Sequence, residues 1–433
     1  MKIAILGYGL QGESAYNYWN TPENEITVCD QNKSLILPDD VRRVLGPDHL
    51  KNLDQYDLIV RSPVVHERDI VSNNAPEILR KVTTVTNEFM KVCLKKNIIG
   101  VTGTKGKGTT STLIAKMLEA SGKRVHLGGN IGIPPLDLLK NNIQPDDWIV
   151  LELANFQLID LKISPHIAVC LMVVPEHMDW HEDIEEYITA KQQLFAHQVS
   201  DDIAIYYAHN EASKRVASAG GAKKIPFMIS PGAEVMGELV MIDGEIICAT
   251  DELELLGKHN WQNVCAAVTA TWQITQNIAA IRSVLTSFSG LEHRLELVRD
   301  FEDVKYYDDS FGTTPETAMV AIEAFSQPKV VILGGSDKGA EFDDLAKTVT
   351  ANNVRSVVLI GKMAEKIEKA LSREGFTNIV RGGDTMREIV SAARTSAQDG
   401  DVVLLSTACA SFDLFKNYKD RGEQFTQAVQ ALA

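Results

Sequence analysis

A loop rich in glycine and lysine lies between a predicted strand and a predicted helix. The loop spans Gly100–Thr110, reads GVTGTKGKGTT, and precedes the predicted helix Thr110–Ser121. Backbone amides and a helix N-terminus in this order hold phosphate oxygens, and Lys107 would neutralise terminal phosphates. The strict Walker pattern is not met, because Val101 and Gly108 stand where it requires glycine and Ser/Thr. Two interpretations therefore stay open, a phosphate-binding loop and a glycine-rich turn with incidental lysines.

A second glycine-rich turn lies near the N-terminus. Gly7, Gly9 and Gly12 form a GxGxxG pattern between two short apolar strands, and Asp30 ends the second strand where a ribose ligand would lie. Taken alone, this pattern favours a dinucleotide. An NAD-dependent oxidoreductase is therefore one alternative, although it would leave the rest of the chain unexplained.

Carboxylate, imidazole and amine groups follow the lysine loop. Glu152 lies near the end of a predicted strand, and His177 precedes the predicted helix Asp183–Ala196, which carries Lys191. Taken alone, Lys191 is most simply an exposed helix lysine. His177 and His181 are one helical turn apart, but no glutamate follows His177 and no third ligand is apparent, so we reject a zinc site.

Strands and helices alternate along the whole chain and predict an α/β fold with three domains. At 433 residues the chain is too long for one ordinary core. We expect a Rossmann-like N-terminal domain over 1–92, a P-loop-type central ATPase domain over 93–290 and a Rossmann-like C-terminal domain over 291–433. The clearest predicted strands are Lys2–Leu6, Glu25–Cys29, Asn97–Val101, Trp148–Leu153, Ile167–Val173, Val304–Tyr307, Lys329–Leu333, Ser356–Ile360 and Val402–Leu405.

The composition disfavours several other classes of protein. No apolar run approaches the length of a membrane span, so we expect no membrane partner. The start, MKIAILGYG, lacks the basic region and cleavage site of a secretory signal, which predicts a cytoplasmic protein. A net charge of -15 repels phosphate backbones, so we expect no nucleic-acid partner. The six cysteines include no CxxC pair, which argues against a disulfide framework and a thiolate metal site.

Five separated motifs resemble those of the Mur ligase family, and they cover almost the whole chain. The lysine loop is similar to the family's GTxGK loop, and the other four follow in the family's order. Gly129–Gly132 resembles GNIG, Leu151–Leu158 resembles ELSSFQL, Glu176–Asp179 resembles EHxD, and Ser406–Phe425 resembles SPACASFDxFxxxxxRGxxF. The last motif is specific to the branch of the family that adds D-glutamate.

The resemblance implies an ATP-dependent ligase of peptidoglycan precursor synthesis. Its substrates would be UDP-N-acetylmuramoyl-L-alanine and glutamate, and its cofactors ATP and Mg²⁺. ATP would phosphorylate the substrate carboxylate, because a free carboxylate is a poor electrophile, and the glutamate amine would then attack the acyl phosphate. Closure of the third domain would keep water away from that intermediate.

The resemblance also implies roles for individual residues. Lys107, Glu152, His177 and Lys191 would be catalytic. Thr109, Glu152, His177 and a carbamylated Lys191 would hold magnesium. The ATP-binding positions would be Gly103, Thr104, Lys105, Gly106, Lys107, Gly108, Thr109, Thr110, Asn260, Arg294 and Asp309. The substrate-binding positions would be Gly7, Gly9, Gly12, Asn130, Thr313, Lys338, Ser411, Phe412 and Tyr418.

Departures from the family pattern leave the amino acid open. Phe311 stands where the family has a lysine that helps to fix glutamate, and Ala154 and Asn155 replace the paired serines of ELSSFQL. The acceptor could therefore be D-glutamate, L-glutamate or another amino acid. A folylpolyglutamate synthase-like ligase is an alternative supported by Gly108, and a non-catalytic Mur-like binding protein is another.

Overall fold

The computed structural model describes residues 1–38, 41–93, 97–130, 132–255, 257–258, 260–337 and 340–432. The chain divides into two compact units, one made of Met1–Leu253 with Lys258–Phe288 and the other of Glu254–Gly257 with Ser289–Ala433. The predicted domain boundaries at 92/93 and 290/291 stay predictions. Within the described ranges, no helix is both long enough and apolar enough to cross a membrane.

The first sheet is parallel and has the strand order β3-β2-β1-β4-β5. Its order reverses between β1 and β4, which is where an open α/β sheet forms a ligand crevice. The strands are β1 (Lys2–Leu6), β2 (Glu25–Asp30), β3 (Arg42–Leu45), β4 (Leu58–Arg61) and β5 (Val82–Thr83), and the helices are α1 (Leu10–Trp19), α2 (Glu67–Val71) and α3 (Val85–Val92).

The second sheet of the same unit is also parallel, with the order β11-β10-β9-β6-β8-β7. Its strands are β6 (Ile98–Thr102), β7 (Val125–Gly129), β8 (Trp148–Glu152), β9 (Ile167–Cys170), β10 (Ile203–Tyr207) and β11 (Lys223–Phe227). All five residues of β6 are buried, as expected for a strand covered on both faces. Because parallel strands end at one edge, the segments after β6, β7, β8 and β9 meet there.

Helices cover this second sheet, and a small antiparallel sheet completes the unit. The helices are α4 (Lys107–Ala120), α5 (Pro135–Leu138), α6 (Asn155–Leu158), α7 (Ile184–Ala196), α8 (Glu211–Ala217), α9 (Asn260–Trp272) and α10 (Ile278–Leu285). The antiparallel strands are β12 (Glu234–Met236), β13 (Leu239–Ile242) and β14 (Glu245–Ala249). Short 3-10 helices occur at Leu53–Gln55, Pro76–Lys81, Leu139–Asn141 and Thr250–Glu252.

The second unit holds a six-stranded sheet with the order β15-β16-β20-β17-β18-β19, in which β15 and β16 are antiparallel. The strands are β15 (Glu296–Phe301), β16 (Val304–Asp308), β17 (Lys329–Gly334), β18 (Val354–Ile360), β19 (Ile379–Arg381) and β20 (Val402–Leu405). The helices are α11 (Pro315–Glu323), α12 (Asp343–Ala351), α13 (Ala364–Arg373), α14 (Met386–Ser396) and α15 (Tyr418–Gln430). The predicted α/β class with Rossmann-like parallel sheets is confirmed.

Two predicted element bounds are wrong by three residues, for identifiable reasons. Helix α4 begins at Lys107 and not at Thr110, because Gly106, at φ 87°, turns the chain directly into the helix. Strand β9 ends before Val173, because side chains take the place of ladder partners there. The Val173 amide donates to Asn210 Oδ1 at 3.1 Å.

A buried ion pair joins the first sheet to the segment that follows helix α6. Arg61 ends β4 and is buried, and its Nε and Nη2 donate to the two carboxylate oxygens of Asp160 at 3.1 and 2.8 Å. Nη1 donates to the Val65 carbonyl at 2.8 Å and Nη2 to the Phe156 carbonyl at 3.0 Å. The guanidinium therefore fixes the end of β4 to helix α6.

Replacing Arg61 with methionine should lower the apparent unfolding temperature sharply, because Asp160 would stay buried without its partner. Breaking a buried pair in this way costs about 3–5 kcal/mol, whereas an exposed pair contributes about 0.2–1 kcal/mol. Thermal unfolding of Arg61→Met should be compared with Arg42→Met, which removes the exposed pair with Glu25. Equal, small losses in the two variants would contradict the assignment.

Candidate active site

The lysine loop follows β6 and is shaped by close approaches that only glycine permits. Gly103 has φ 147°, and a Cβ there would lie 2.6 Å from Leu171 Cβ. At Gly106 a Cβ would lie 2.1 Å from Asn263 Oδ1. Any larger side chain would push the loop away from the exit of β9 and from helix α9. The loop therefore runs directly into the N-terminus of α4, the arrangement that binds phosphate oxygens.

Thr104 fixes the middle of this loop. Its amide donates to the Met172 carbonyl at 2.8 Å, and its hydroxyl accepts from the Val174 amide at 2.9 Å. The same hydroxyl lies 2.9 Å from the phenol oxygen of Tyr187, which is fully buried in α7. The loop is thus tied to both the segment after β9 and helix α7.

Two lysines donate to one carbonyl oxygen of the loop. Lys107 Nζ lies 3.2 Å from Gly103 O and 2.9 Å from Thr104 O. Lys191 Nζ reaches Gly103 O at 2.9 Å and lies over the Tyr187 ring, 4.4 Å from its centroid. Lys191 is 1% exposed, so it is not an exposed helix lysine. Burial, together with the charge of Lys107, lowers the pKa of Lys191 to about 7.

Glu152 ends β8 and is buried beside the segment after β7. Asn130 Nδ2 donates to Glu152 Oε1 at 2.9 Å, and the Asn130 amide donates to the Glu152 carbonyl at 2.7 Å. Gly129, at φ 118°, allows this approach, because a Cβ there would lie 2.1 Å from the Glu152 carbonyl oxygen. A predicted substrate residue therefore orients a predicted magnesium ligand. The neighbouring Ile131 lies outside the described residues.

His177 has a left-handed backbone conformation, with φ 59°. Its ring centroid lies 4.8 Å from that of Phe156. Burial lowers the pKa of His177, and the charges of Lys107 and Lys191 lower it further. Two neighbouring carboxylates act in the opposite direction but do not outweigh these effects. The imidazole is therefore neutral at neutral pH, as a metal ligand must be.

Two of the residues predicted to hold magnesium, Thr109 and Glu152, carry oxygen donors of the kind that phosphate oxygens would complete. Thr109 is buried at the start of α4, and the buried hydroxyls of Thr110 and Ser111 have no hydrogen-bond partner among the described residues. Hydroxyl and carboxylate oxygens suit Mg²⁺, which is usually bound by one or two carboxylates and substrate phosphates. The chemistry of the donor set therefore fits magnesium bound together with a nucleotide.

A different group of possible metal ligands lies in the second unit. Among the described residues, three His, Cys, Asp or Glu ligand atoms converge within 4.8 Å only at His293, Glu296 and Asp308. His293 Nδ1 pairs with Asp308 Oδ2 at 2.7 Å, and the His293 amide donates to Glu296 Oε2 at 2.8 Å. These groups satisfy one another.

Asp309 is buried in the second unit, at the end of β16. Burial raises the pKa of Asp309 to about 7, despite the hydrogen bond from Ser406 Oγ at 2.6 Å and the charge of Arg294. The next residue, Ser310, is held by the buried Arg421, whose Nε and Nη2 donate to its hydroxyl and carbonyl, each at 2.8 Å. The segment that carries Asp309 is therefore fixed from both sides.

Phe311 lies in a cluster of aromatic and cationic side chains. Its ring is edge-on to Tyr418 at 5.2 Å between centroids, and the Arg294 guanidinium carbon lies 5.5 Å from its centroid. The Phe311 amide donates to the His293 carbonyl at 2.9 Å. Three predicted positions thus meet here, and the position where the family has lysine carries a partly exposed ring.

The other predicted positions of the second unit differ in their exposure. Ser411 is buried, Phe412 is 69% exposed, and Thr313 is half-buried. Lys338 lies outside the described residues. In the first unit, Asn260 begins α9, and its Oδ1 accepts from Asn263 Nδ2 at 2.7 Å.

The N-terminal glycine turn lies where the first sheet reverses its order. Gly7 has φ 82°, and a Cβ on Gly12 would lie 2.1 Å from the Gly7 carbonyl, so both positions need glycine. A Cβ on Gly9 would meet open space. Asp30, at the position expected for a ribose ligand, accepts from the backbone amides of Tyr8 at 2.9 Å and Asn32 at 2.8 Å.

Reasoning from the sequence missed several residues that shape the site. Arg61 and Asp160 carried no motif, and only the fold brings them together. Tyr187 could have been found from its position, because it lies one helical turn before Lys191 and therefore shares its helix face. His181 was considered only as a zinc ligand, and its hydrogen bonds with other side chains were not foreseen.

Two family models match separate parts of the chain. The Mur ligase middle domain matches residues 101–271, and the Mur ligase, glutamate ligase domain matches residues 293–409. The chain belongs to the Mur ligase family. Membership of this ligase family removes the oxidoreductase alternative.

Relatives of this Mur ligase share its full length. A UDP-N-acetylmuramoylalanine–D-glutamate ligase of Symbiobacterium thermophilum is 36% identical over 457 residues, covering 100% of this chain and 98% of its own. The enzyme of the same name from Clostridium kluyveri is 34% identical over 449 residues, covering 99% and 96%.

Solved structures of other ligases share the fold. A UDP-N-acetylmuramate-alanine ligase of Thermotoga maritima has a TM-score of 0.59 at 16% identity, covering 100% of this chain and 99% of its own. The MurF ligase of Thermotoga maritima, in complex with ADP, has a TM-score of 0.58 at 17% identity, covering 100% and 95%. FolC of E. coli, also with ADP, scores 0.55 at 16% identity, covering 80% and 92%. At these identities the likeness shows the fold alone.

Lys191→Met should alter how the stability of this Mur ligase depends on pH. The folded pKa of Lys191 lies below the value of an unfolded lysine, so the unfolded chain binds more protons between about pH 7 and 10, and wild-type stability rises with pH there. Methionine does not titrate, so the variant lacks this pH-dependent contribution to stability. The melting temperature of the variant minus that of wild type should therefore increase by about 2 °C or more as the pH falls from about 9.5 to 7.

Scanning fluorimetry in bicarbonate-free buffer measures this difference. Lys116→Met, on the exposed face of α4, is the matched control and should show no such trend. Parallel stability curves for wild type and Lys191→Met would show that Lys191 is charged in the fold.

Proposed function

We propose that this Mur ligase joins D-glutamate to UDP-N-acetylmuramoyl-L-alanine, using ATP and passing through an acyl phosphate. The observation that carries the proposal is the convergence of Lys107 and Lys191 on the Gly103 carbonyl at the start of a phosphate-type loop. Two amines held this close favour an anionic ligand between them and the loop amides. The names of the full-length relatives support the choice of substrates.

The loop residues would act on the nucleotide in the first step. Backbone amides of Gly103–Gly108 and the N-terminus of α4 would hold the ATP phosphates, while Lys107 neutralises charge on the transferred γ-phosphoryl group. The substrate carboxylate oxygen attacks phosphorus and ADP leaves, which turns a poor electrophile into an acyl phosphate. Asn260, Arg294 and Asp309 are proposed to bind the rest of the nucleotide.

Thr109, Glu152, His177 and a carbamylated Lys191 are proposed to hold magnesium, which when bound neutralises crowded phosphate oxygens. Asn130 keeps Glu152 oriented, and the neutral imidazole of His177 presents a lone pair. A lysine whose pKa is about 7 has a large neutral fraction at pH 7, and only the neutral amine attacks CO2. Loss of a proton then leaves a carbamate anion on Nζ.

In the second step the neutral amine of glutamate attacks the acyl carbon. The tetrahedral intermediate collapses with loss of inorganic phosphate, the nitrogen gives up one proton to solvent, and the amide bond forms. We assign recognition of the amino acid to Thr313, Lys338, Ser411, Phe412 and Tyr418. The amides around Gly7, Gly9 and Gly12 are proposed to hold the UDP part of the other substrate.

The direct test combines ATP, UDP-N-acetylmuramoyl-L-alanine labelled with ¹⁸O in its carboxylate, and either enantiomer of glutamate. Mass spectrometry should show the D-glutamate adduct and one ¹⁸O in the released phosphate, because that oxygen bridges to phosphorus in the acyl phosphate. Phosphate without ¹⁸O would contradict the intermediate. Product from L-glutamate instead would contradict the substrate assignment. If neither enantiomer gives product, neutral amino acids are tried in place of glutamate, and no product with any of them would favour a binding protein.

Lys107→Ala should lower the rate of phosphate release by more than a hundredfold. Lys107 is the lysine of the loop that begins α4, and a fixed charge on a transferred phosphoryl group typically lowers the barrier by about 3 kcal/mol or more. Phosphate release under saturating substrates measures the effect. Lys116→Ala, on the same helix but exposed, should stay near wild type. Turnover of Lys107→Ala within tenfold of wild type would remove Lys107 from the mechanism.

Phe311→Lys should lower the KM for D-glutamate by about tenfold, because a charge-assisted hydrogen bond to a carboxylate contributes about 1.5–3 kcal/mol. Leu297→Lys adds the same charge at another partly exposed position of the unit and should leave the KM unchanged. Steady-state kinetics with both enantiomers measure the change. If Phe311→Lys alters neither affinity nor preference, Phe311 lies outside the amino-acid site.

A further inference from the structure

Asn155, the first residue of α6, is part of a buried chain of polar side chains. Its Nδ2 lies 2.7 Å from His181 Nε2, and His181 Nδ1 lies 3.1 Å from Glu186 Oε2. The Glu182 amide donates to the same Glu186 oxygen at 2.9 Å. The side chain of His181 is fully buried, and Asn155 is 3% exposed. A network this enclosed can hold a side chain in one orientation.

The other end of this network of polar side chains is His66, which follows β4 of the first sheet. His66 Nε2 is 3.3 Å from Glu186 Oε1, within ion-pair distance although not aligned as a hydrogen bond. His66 Nδ1 accepts from the Arg68 amide at 3.0 Å, so its proton must lie on Nε2, facing Glu186. Glu186 therefore faces the N–H of His66, and as a carboxylate it acts only as an acceptor.

These contacts fix the orientation of the Asn155 amide. Burial lowers the pKa of both His66 and His181, so each ring carries a single proton at neutral pH. Since the carboxylate of Glu186 only accepts, His181 must place its proton on Nδ1, which leaves a lone pair on Nε2. Asn155 therefore donates to it through Nδ2 and turns Oδ1 the other way.

The outward oxygen is available to a ligand. Oδ1 of Asn155 accepts no hydrogen bond from the described residues. This oxygen is not fully buried, so it keeps contact with solvent. Asn155 lies three positions after Glu152 at the carboxyl edge of the sheet. The ring of the next residue, Phe156, packs against His177 at 4.8 Å.

We infer that Asn155 is a substrate-binding residue whose Oδ1 accepts a hydrogen bond from the amide N–H of the acyl-amino-acid substrate, next to the reacting carboxylate. The inference rests on the proposed function. A neutral carbonyl oxygen suits this position, because an aspartate would bring a negative charge close to a carboxylate that must approach phosphate. His181 and Glu186 act through Asn155 as positioning residues.

The test compares UDP-N-acetylmuramoyl-L-alanine with an analogue in which an ester oxygen replaces that amide nitrogen. Wild type should bind the amide about tenfold more tightly in titration calorimetry, because the ester leaves Oδ1 without a donor. In Asn155→Ala the two affinities should agree within twofold. His181→Phe, which keeps a ring but removes the acceptor nitrogen, should also lose most of the discrimination.

Two controls accompany these variants. A non-hydrolysable ATP analogue should bind wild type and Asn155→Ala equally well. Glu182→Gln alters an exposed carboxylate paired with Arg68 in the same segment and should keep the full amide preference. Melting temperatures near wild type confirm that each variant is folded.

The outcomes separate this inference from the proposed function. If the amide preference persists in Asn155→Ala, the inference is overturned while the proposed function stands. The same holds if Asn155→Ala keeps that preference but requires more Mg²⁺, a result that would make Oδ1 a cation ligand. If wild type binds neither compound, the proposed function itself fails. If wild type binds both compounds equally, the amide N–H is not recognised and the inference is again overturned.

Discussion

Two amines share one carbonyl oxygen at the start of the phosphate-type loop, and the chemistry of the first unit depends on this contact. Lys107 and Lys191 both donate to Gly103, at 3.2 and 2.9 Å, and Lys191 is buried. Two like charges held this close repel, and one of them is buried, so one amine must lose its proton or an anion must come between them. The fold favours the first solution in the free protein, because burial and Lys107 together lower the pKa of Lys191 to about 7.

The rest of the first unit keeps these groups in place. Glycines at close approaches let the loop fit against neighbouring strands, Thr104 ties it to Tyr187, and Asn130 orients Glu152. All of these groups lie at the carboxyl edge of one parallel sheet. The strand order of this sheet therefore brings together residues that are far apart in the sequence. In the second unit, too, a buried polar side chain fixes a segment at the end of a strand: the Arg421 guanidinium holds the segment after β16.

Local patterns gave the elements and the loop, but not the contacts between distant segments. Strand β20 was predicted with its observed bounds, because a buried parallel strand is an uninterrupted apolar run. Strands β12–β14 are short and partly polar, and they escaped prediction. The Arg61–Asp160 pair is 99 positions apart, and the burial of Lys191 depends on packing against the loop, so neither leaves a periodic trace. The network of polar side chains from Asn155 to His66 was not predicted, for the same reason.

The state of Lys191 is tested most directly by ¹³C NMR of the holoenzyme in buffer containing ¹³C-labelled bicarbonate. The account predicts a protein-bound carbamate carbonyl resonance in wild type that persists in Lys116→Met and is absent from Lys191→Met. An active, bicarbonate-saturated wild type without such a resonance would contradict it, and would mean that Lys191 acts as an amine.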